Sequence, residues 1–183
     1  MATFVSMLRG INVSGKNLIK MNALQESYKT LGFDNVVTYL QSGNVVFTSE
    51  DANNSLLGTK ISERIENDFR FTIPILVLSI DKLDKIIHEN PFSERADKHG
   101  KSLYITFLYS EPADIKNEII EGNKGEGEEF IIKNNVVYLF CPNGYGRTKL
   151  NNNYWEAKLK TSATTRNWKT VNEMLKIAQQ IVS

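Results

Sequence analysis

A chain of 183 residues with one cysteine, two histidines and four prolines leaves little material for several common chemistries. Cys141 alone cannot close an internal disulfide, and the opening Met1-Ala2-Thr3-Phe4-Val5 shows neither the charged first region nor the apolar core of a secretory signal. Both point to a reducing, cytoplasmic setting. No apolar run approaches the roughly 20 residues a membrane-spanning helix needs. His88 and His99 have no Cys or His partner at ligand spacing, so no metal site is expected, and a Ser-His-Asp or Cys-His triad is improbable. Lysine and arginine total 22 against 21 acidic residues, a net charge of +1. That balance carries no electrostatic footprint for duplex nucleic acid or an anionic membrane.

Glycine patterns for a bound cofactor are missing too. Gly122, Gly125 and Gly127 precede a strand and open no helix, so they fail as a dinucleotide loop. The segment Gly144-Tyr145-Gly146-Arg147-Thr148-Lys149 does lie between a strand and a helix, yet it does not match the phosphate-binding Gly-x-x-x-x-Gly-Lys-Ser/Thr pattern. No cofactor is expected.

What the chain does have is clear periodicity. Residues 3–9 read as a strand with Val5, Met7 and Arg9 on one face, ending at Gly10. Residues 11–20, rich in Asn, Gly and Lys, read as an exposed connection. A helix follows, capped by Asn22 with Gln25 three residues on. Leu24, Tyr28 and Leu31 form its stripe, and Gly32-Phe33 makes a Schellman ending packed on Tyr28. Residues 36–40 and 44–48 form a hairpin around Gln41-Ser42-Gly43. Leu57, Ile61, Ile65 and Phe69 mark a second helix, and residues 73–80 a fourth strand whose Pro74 suits a sheet edge. The order is βαββαβ, the ferredoxin-like unit.

Asp81 starts a linking helix that stops at Asn90-Pro91, and the pattern then begins again. Leu103, Ile105, Phe107 and Tyr109 form a strand face, Ile115 and Ile119 a helix stripe, and residues 129–133 and 136–141 a hairpin around Asn134-Asn135. Asn135-Val136-Val137-Tyr138 echoes Asn44-Val45-Val46-Phe47. A helix over residues 152–160 bearing Trp155 and Leu159, a strand over 161–165, and a last helix complete the reading. Asn167 caps that last helix, and Trp168, Val171, Leu175, Ala178 and Val182 face inward. The predicted fold is therefore α+β, a tandem duplication of two ferredoxin-like subdomains with an extra C-terminal helix. Its divisions fall at residues 1–80, 81–100 (a linking helix and loop) and 101–183.

Candidate binding residues sit at element ends. Arg9 closes an apolar strand face, where a guanidinium could meet a carboxylate or phosphate bidentately with Asn12 and Lys16 nearby; a structural ion pair explains it equally well. Arg147 and Lys149 could hold an anion or could be solvated turn residues. Arg166 follows two hydroxyls before a helix start, a natural anion position, whereas Asn167 and Trp168 are explained by a cap and a core anchor. Cys141, ahead of Pro142, reads as a small buried hydrophobe. With strands one and three taken as parallel, the loop after Arg9 and the Ser42-Gly43 hairpin fall at opposite sheet ends. Arg147 then shares Arg9's end and Arg166 the hairpin's, so a common pocket would need both halves.

Three separated motifs resemble one family. Met7-Leu8-Arg9-Gly10-Ile11-Asn12-Val13-Ser14-Gly15-Lys16, Thr38-Tyr39-Leu40-Gln41-Ser42-Gly43-Asn44-Val45-Val46-Phe47 and Ala163-Thr164-Thr165-Arg166-Asn167-Trp168-Lys169-Thr170-Val171 are similar to the domain-of-unknown-function 1697 family. Ser14 stands where Gly is commoner in that family. The resemblance implies a small bacterial cytoplasmic protein with two ferredoxin-like subdomains and no established activity. By motif match it carries over Arg9, Asn12, Ser42, Asn44, Lys149, Arg166 and Asn167 as a ligand site; Lys16 and Arg147 join them from the reading of the residues.

Three functions are then open. The first is a binder of an anionic small molecule, a phosphate ester or nucleotide, held between the subdomains; whether it is also an enzyme stays open, with no catalytic constellation identifiable. The second is a single-stranded RNA module, for which Asn44-Val45-Val46-Phe47 offers one ring where two or three stacking partners are needed. The third is a protein-partner module, with oligomeric state open.

Overall fold

The computed structural model describes residues 1–112 and 120–182. It is an α+β protein carrying two four-stranded antiparallel sheets. In chain order the elements are β1 (Ala2–Leu8), α1 (Met21–Thr30), β2 (Asp34–Tyr39), β3 (Asn44–Ser49), α2 (Asn54–Phe69), β4 (Ile75–Ser79), α3 (Ile80–His88), a single turn α4 (Ala96–His99), β5 (Leu103–Leu108), β6 (Glu129–Lys133), β7 (Val136–Phe140), α5 (Asn152–Leu159), β8 (Ala163–Asn167) and α6 (Trp168–Val182). The sheets run β2-β3-β1-β4 and β6-β7-β5-β8. The chain divides into two compact units, Met1–Lys85 with Glu173–Ser183, and Ile86–Asn172. No helix among the described residues is long and apolar enough to cross a membrane.

In the first unit, alternation along β1 sends Phe4 and Leu8 into a core with Val45, Phe47 and Val77, which Leu24 and Tyr28 of α1 and Leu57, Ile61 and Ile65 of α2 complete. Each such side chain, fully buried, stabilises the fold by about 1.5–3 kcal/mol. Ser6 lies on the same face, where its hydroxyl and that of Tyr28 are 2.8 Å apart, so the buried phenol has a partner. The Schellman ending forms: Gly32 takes φ 80°, Gly32 N donates to Lys29 O and Phe33 N to Tyr28 O, and the Phe33 ring meets Tyr28 edge-on. Pro74 lies just before edge strand β4, where no ladder bond is lost.

Two expected caps are corrected. Asn22 lies inside the first turn of α1, whose N-cap is Lys20 with no side-chain cap bond; the loop before it delivers the chain into helix two residues earlier than the capping box requires. Asp81 likewise lies inside α3, and Ser79 Oγ accepts from Lys82 N instead. Asn53, Asn151 and Asn167 cap α2, α5 and α6.

In the second unit, Trp155 sits fully buried among Leu108, Val137, Leu139, Cys141, Leu150, Leu159 and Ala163. The predicted helix stripe of Ile115 and Ile119 lies outside the described residues. The last strand starts at Ala163, two residues later than expected, and runs on through Asn167, so Asn167 both ends β8 and caps α6. In α6, Val171, Met174, Leu175 and Ala178 are buried, but Val182 in its final turn is 65% exposed and Trp168 half-buried. The echo of Asn44-Val45-Val46-Phe47 in Asn135-Val136-Val137-Tyr138 is one residue out of register. Leu8 N bonds Gly43 O and Leu108 N bonds Asn135 O, so Asn135 stands in the place of Gly43. A one-residue slip reverses the face: Phe47 pairs with Phe4 in the helix-side core, whereas Tyr138 pairs with Ile105 and donates its hydroxyl to Ile86 O.

Tyr138 and Cys141 give the fold an alkaline limit. Burial pushes both groups up to about 12, from ordinary values of 10.0 and 9.0, with the charges of Glu89 and Glu128 adding to the rise. The unfolded chain releases these protons first. It is therefore favoured progressively as pH climbs from the thiol's unfolded value toward the folded one, and the stability present below about pH 9 is lost by about pH 12. An unfolding free energy, measured by urea titration, that falls by a few kcal/mol in sum between about pH 8 and about pH 11 is the expected result.

Candidate functional site

Pairing directions overturn the placement expected for Arg9 and the hairpin. Strand β1 is antiparallel to β3, with Met7 opposite Asn44, so the loop after Arg9 and the turn before Asn44 share one end of the sheet. The physical reason is the crossover: α1 returns the chain so that β2 runs with β1, the hairpin reverses it, and β3, inserted between them, opposes both. The same rule moves Arg147 and Arg166. Phe140 pairs with Leu103, and Asn167 with Tyr104, so both arginines lie at the end of the second sheet where β5 begins. Each group of candidates gathers at one end of its own sheet.

At the first sheet's end, residues 10–20 form a loop stitched by two asparagines. Asn12 Nδ2 donates to Ile19 O at 3.0 Å and to Gln41 O at 2.8 Å, while its Oδ1 accepts from Ile19 N at 2.9 Å. Asn17 Nδ2 donates to Gly10 O, and Asn12 N to Asn17 O. These bonds close the loop on itself and tie it to the hairpin. Asn12, Ser14 and Asn17 all hold left-handed backbone angles, φ 53°, 51° and 49°. Ser14 thus sits in a conformation that glycine adopts without strain. Such strain persists only where the surroundings over-determine it, and it concentrates at binding sites.

The other side chains divide by role. Asn44 is buried and donates to Tyr39 O and Ser42 Oγ, which makes it a hairpin brace. Gly43 (φ 74°) packs so closely that a β-carbon there would lie 2.7 Å from Ile11 Cδ1 and 2.8 Å from Leu8 Cβ. Arg9 is half-buried, with its backbone N–H donating to Pro74 O. Lys16 and Lys20 are exposed. Between them and around them stand the exposed Val13, Leu18 and Leu40, at 58%, 67% and 53%. The loop delivers the chain to α1, which has neither a side-chain cap nor an acidic residue in its first turn, while α2, α3, α5 and α6 each have a side chain bonded to a first-turn N–H. Uncapped N–H groups at a helix start favour an anion. Sequence reading missed this feature because it placed a cap at Asn22; the signal available was the lack of Asp or Glu from residue 9 through residue 25.

The second sheet's candidates fare differently. Arg147 and Lys149 are exposed on a loop pinned from below by the buried Glu128, whose Oε2 accepts from Thr148 Oγ1 at 2.9 Å and Gly125 N at 2.8 Å. That carboxylate's charge, felt at Cys141, opposes a second anion there. Arg166 is 9% exposed and its Nη1 donates to Thr164 Oγ1 and Thr165 O, both on its own strand. It pairs with Ile105, whereas the Tyr145 ring of the loop lies tilted against Tyr104 and its hydroxyl donates to Thr165 Oγ1, so Arg166 and this loop lie on opposite faces of the sheet. Asn167 is the α6 cap. Tyr109 stands where Arg9 stands in the first unit, its N–H donating to Ser162 O as Arg9's does to Pro74 O.

No group of three or more His, Cys, Asp or Glu among the described residues is arranged to hold a metal ion. No curated protein matches the chain. A solved structure of a conserved bacterial protein from Streptococcus pneumoniae is similar over 97% of this chain and 98% of that one, with a TM-score of 0.71 and 22% sequence identity, a likeness of fold. Residues 1–138 match the family described as a protein of unknown function, DUF1697. The chain belongs to that family.

Proposed function

We propose that this is a cytoplasmic binding protein, built by tandem duplication of a ferredoxin-like unit, whose first sheet holds an anionic small molecule at the end formed by residues 9–20 and 41–43. The common strand order of the two sheets supports the duplication. The observation that carries the binding reading is the uncapped start of α1, reached through a loop that Asn12 and Asn17 hold rigid and that bears Arg9, Lys16 and Lys20. A preformed loop loses little entropy on binding, and charge-assisted bonds to a phosphate are the stronger kind. The exposed Val13, Leu18 and Leu40 suit a ligand with an apolar body beside its charge, as in a nucleotide or other phosphate ester. The loop and hairpin hold no carboxylate or imidazole, which favours binding over acid–base catalysis.

Calorimetric titration with inorganic phosphate, a sugar phosphate and a nucleotide tests this. Arg9→Ala and Lys16→Ala should each weaken binding about tenfold, roughly 1.4 kcal/mol, without lowering the unfolding temperature by more than a few degrees. Affinity that survives both substitutions contradicts the site. The RNA reading draws less support, because Phe4 and Phe47, the rings a sheet-face platform would use, are buried beneath α1.

A further inference from the structure

Strand β6 is an edge of the second sheet, and its sequence Glu129-Phe130-Ile131-Ile132-Lys133 is complementary to itself run backwards. A two-residue turn joins Lys133 to Val136, so Lys133, Ile131 and Glu129 direct their backbone groups toward β7 and Phe130 and Ile132 direct theirs outward. Those outward groups have no partner among the described residues. We propose that β6 pairs antiparallel with β6 of a second copy of this chain, about a two-fold axis at Ile131.

The register follows from the ladder. The groups of Phe130 meet those of Ile132 of the partner, and the reverse, as two hydrogen-bonded pairs. Ile131 then faces its own copy in the closely spaced, non-bonded position, where β-carbons lie about 4.5–5.5 Å apart. Ile131 is 37% exposed, one of the few large apolar side chains so open, and the pairing would cover it. The same register sets Glu129 opposite Lys133 of the partner, twice. These two side chains are already oriented on that face: Arg95 holds Glu129 through two bonds at 2.6 and 3.2 Å and keeps its carboxyl below the usual range, and Lys133 Nζ donates to Glu89 O. A closed two-fold contact of this kind uses one patch on both copies.

The corresponding edge of the first unit is blunted. Between Asp34 and Val37, β2 carries a register shift with Asn35 at φ 50°, the device that keeps an edge from pairing. Edge β6 has an unbroken register along all of its residues.

Light scattering over a concentration series up to about 1 mM, with a cysteine cross-link, decides the matter. A dimer is expected, which Ile131→Lys dissolves by setting two like charges face to face while leaving the unfolding temperature of the monomer within a few degrees of the parent's. Ile131→Cys should give a covalent dimer on mild oxidation, since paired α-carbons at that position fall within disulfide reach and Cys141 is buried; Lys101→Cys, exposed elsewhere on the unit, should not. A strict monomer at every concentration, or a dimer that Ile131→Lys leaves intact, overturns the proposal.

Discussion

A Trp155→Ala protein should lose about 3–5 kcal/mol of stability, the range for removing a fully buried indole. Trp155 is fully buried and carries three structural roles at once. Its ring meets Phe130 at 62° and Tyr154 at 81°, both edge-on contacts worth more than their area. Its Nε1 donates to Leu150 O at 2.8 Å, and an alanine would leave that buried carbonyl without its partner. The cavity would lie directly beneath the strands β5 and β7, through Leu108, Val137 and Leu139. Trp155→Phe, which keeps most of the volume and loses the hydrogen bond, should cost about 1–3 kcal/mol. Chemical unfolding of the three proteins measures both differences; equal stability of the parent and the alanine variant would contradict the packing described.

Gly43→Ala should cost about 2–4 kcal/mol and should loosen the candidate site as well. The added methyl would press on Ile11 Cδ1 and Leu8 Cβ at 2.7 and 2.8 Å, distances at which something must shift. Overpacking of this kind costs about 1–3 kcal/mol, and a left-handed angle adds about 1 for any residue with a β-carbon. Neither neighbour yields easily. Ile11 is buried in the first core, and Leu8 is held by its own N–H bond to Gly43 O. Relief would come from moving the hairpin off the loop, which breaks the bond from Asn12 to Gln41 O. The measurable signature is a lowered unfolding free energy together with faster amide exchange at residues 10–20. A stable Gly43→Ala protein with unchanged exchange would show that loop and hairpin are not coupled.

Local signals were legible in the sequence, and directional ones were not. The Schellman ending at Gly32-Phe33, the Asn134-Asn135 turn and the Pro74 edge each depend on a few adjacent residues, and each is present. The cap at Asn22 failed because capping depends on where a preceding loop delivers the chain, and the loop of residues 10–20 is ordered by bonds from Asn12 that no short pattern encodes. The repeat at Asn135 failed by one residue because the two hairpins have turns of different length, four residues in the first and two in the second, and similarity of letters is blind to the pleat.

Within the site, Arg9, Lys16 and Ser42 were each visible as element-end residues. Their common location was not, because it rests on strand direction, and a wrong direction for β3 separates them by the length of the sheet. Asn12 and Asn44 were visible for the wrong reason: both serve the loop and hairpin rather than offering free groups to a ligand. Arg166, the most buried of the candidate cations, engages its own strand.

Amide-resolved magnetic resonance during titration with a nucleoside monophosphate is the most direct test of the anion site. The account predicts saturable shifts at residues 10–23 and 41–43, absent in Arg9→Ala. Shifts confined to residues 144–149, or none that saturate, would contradict it.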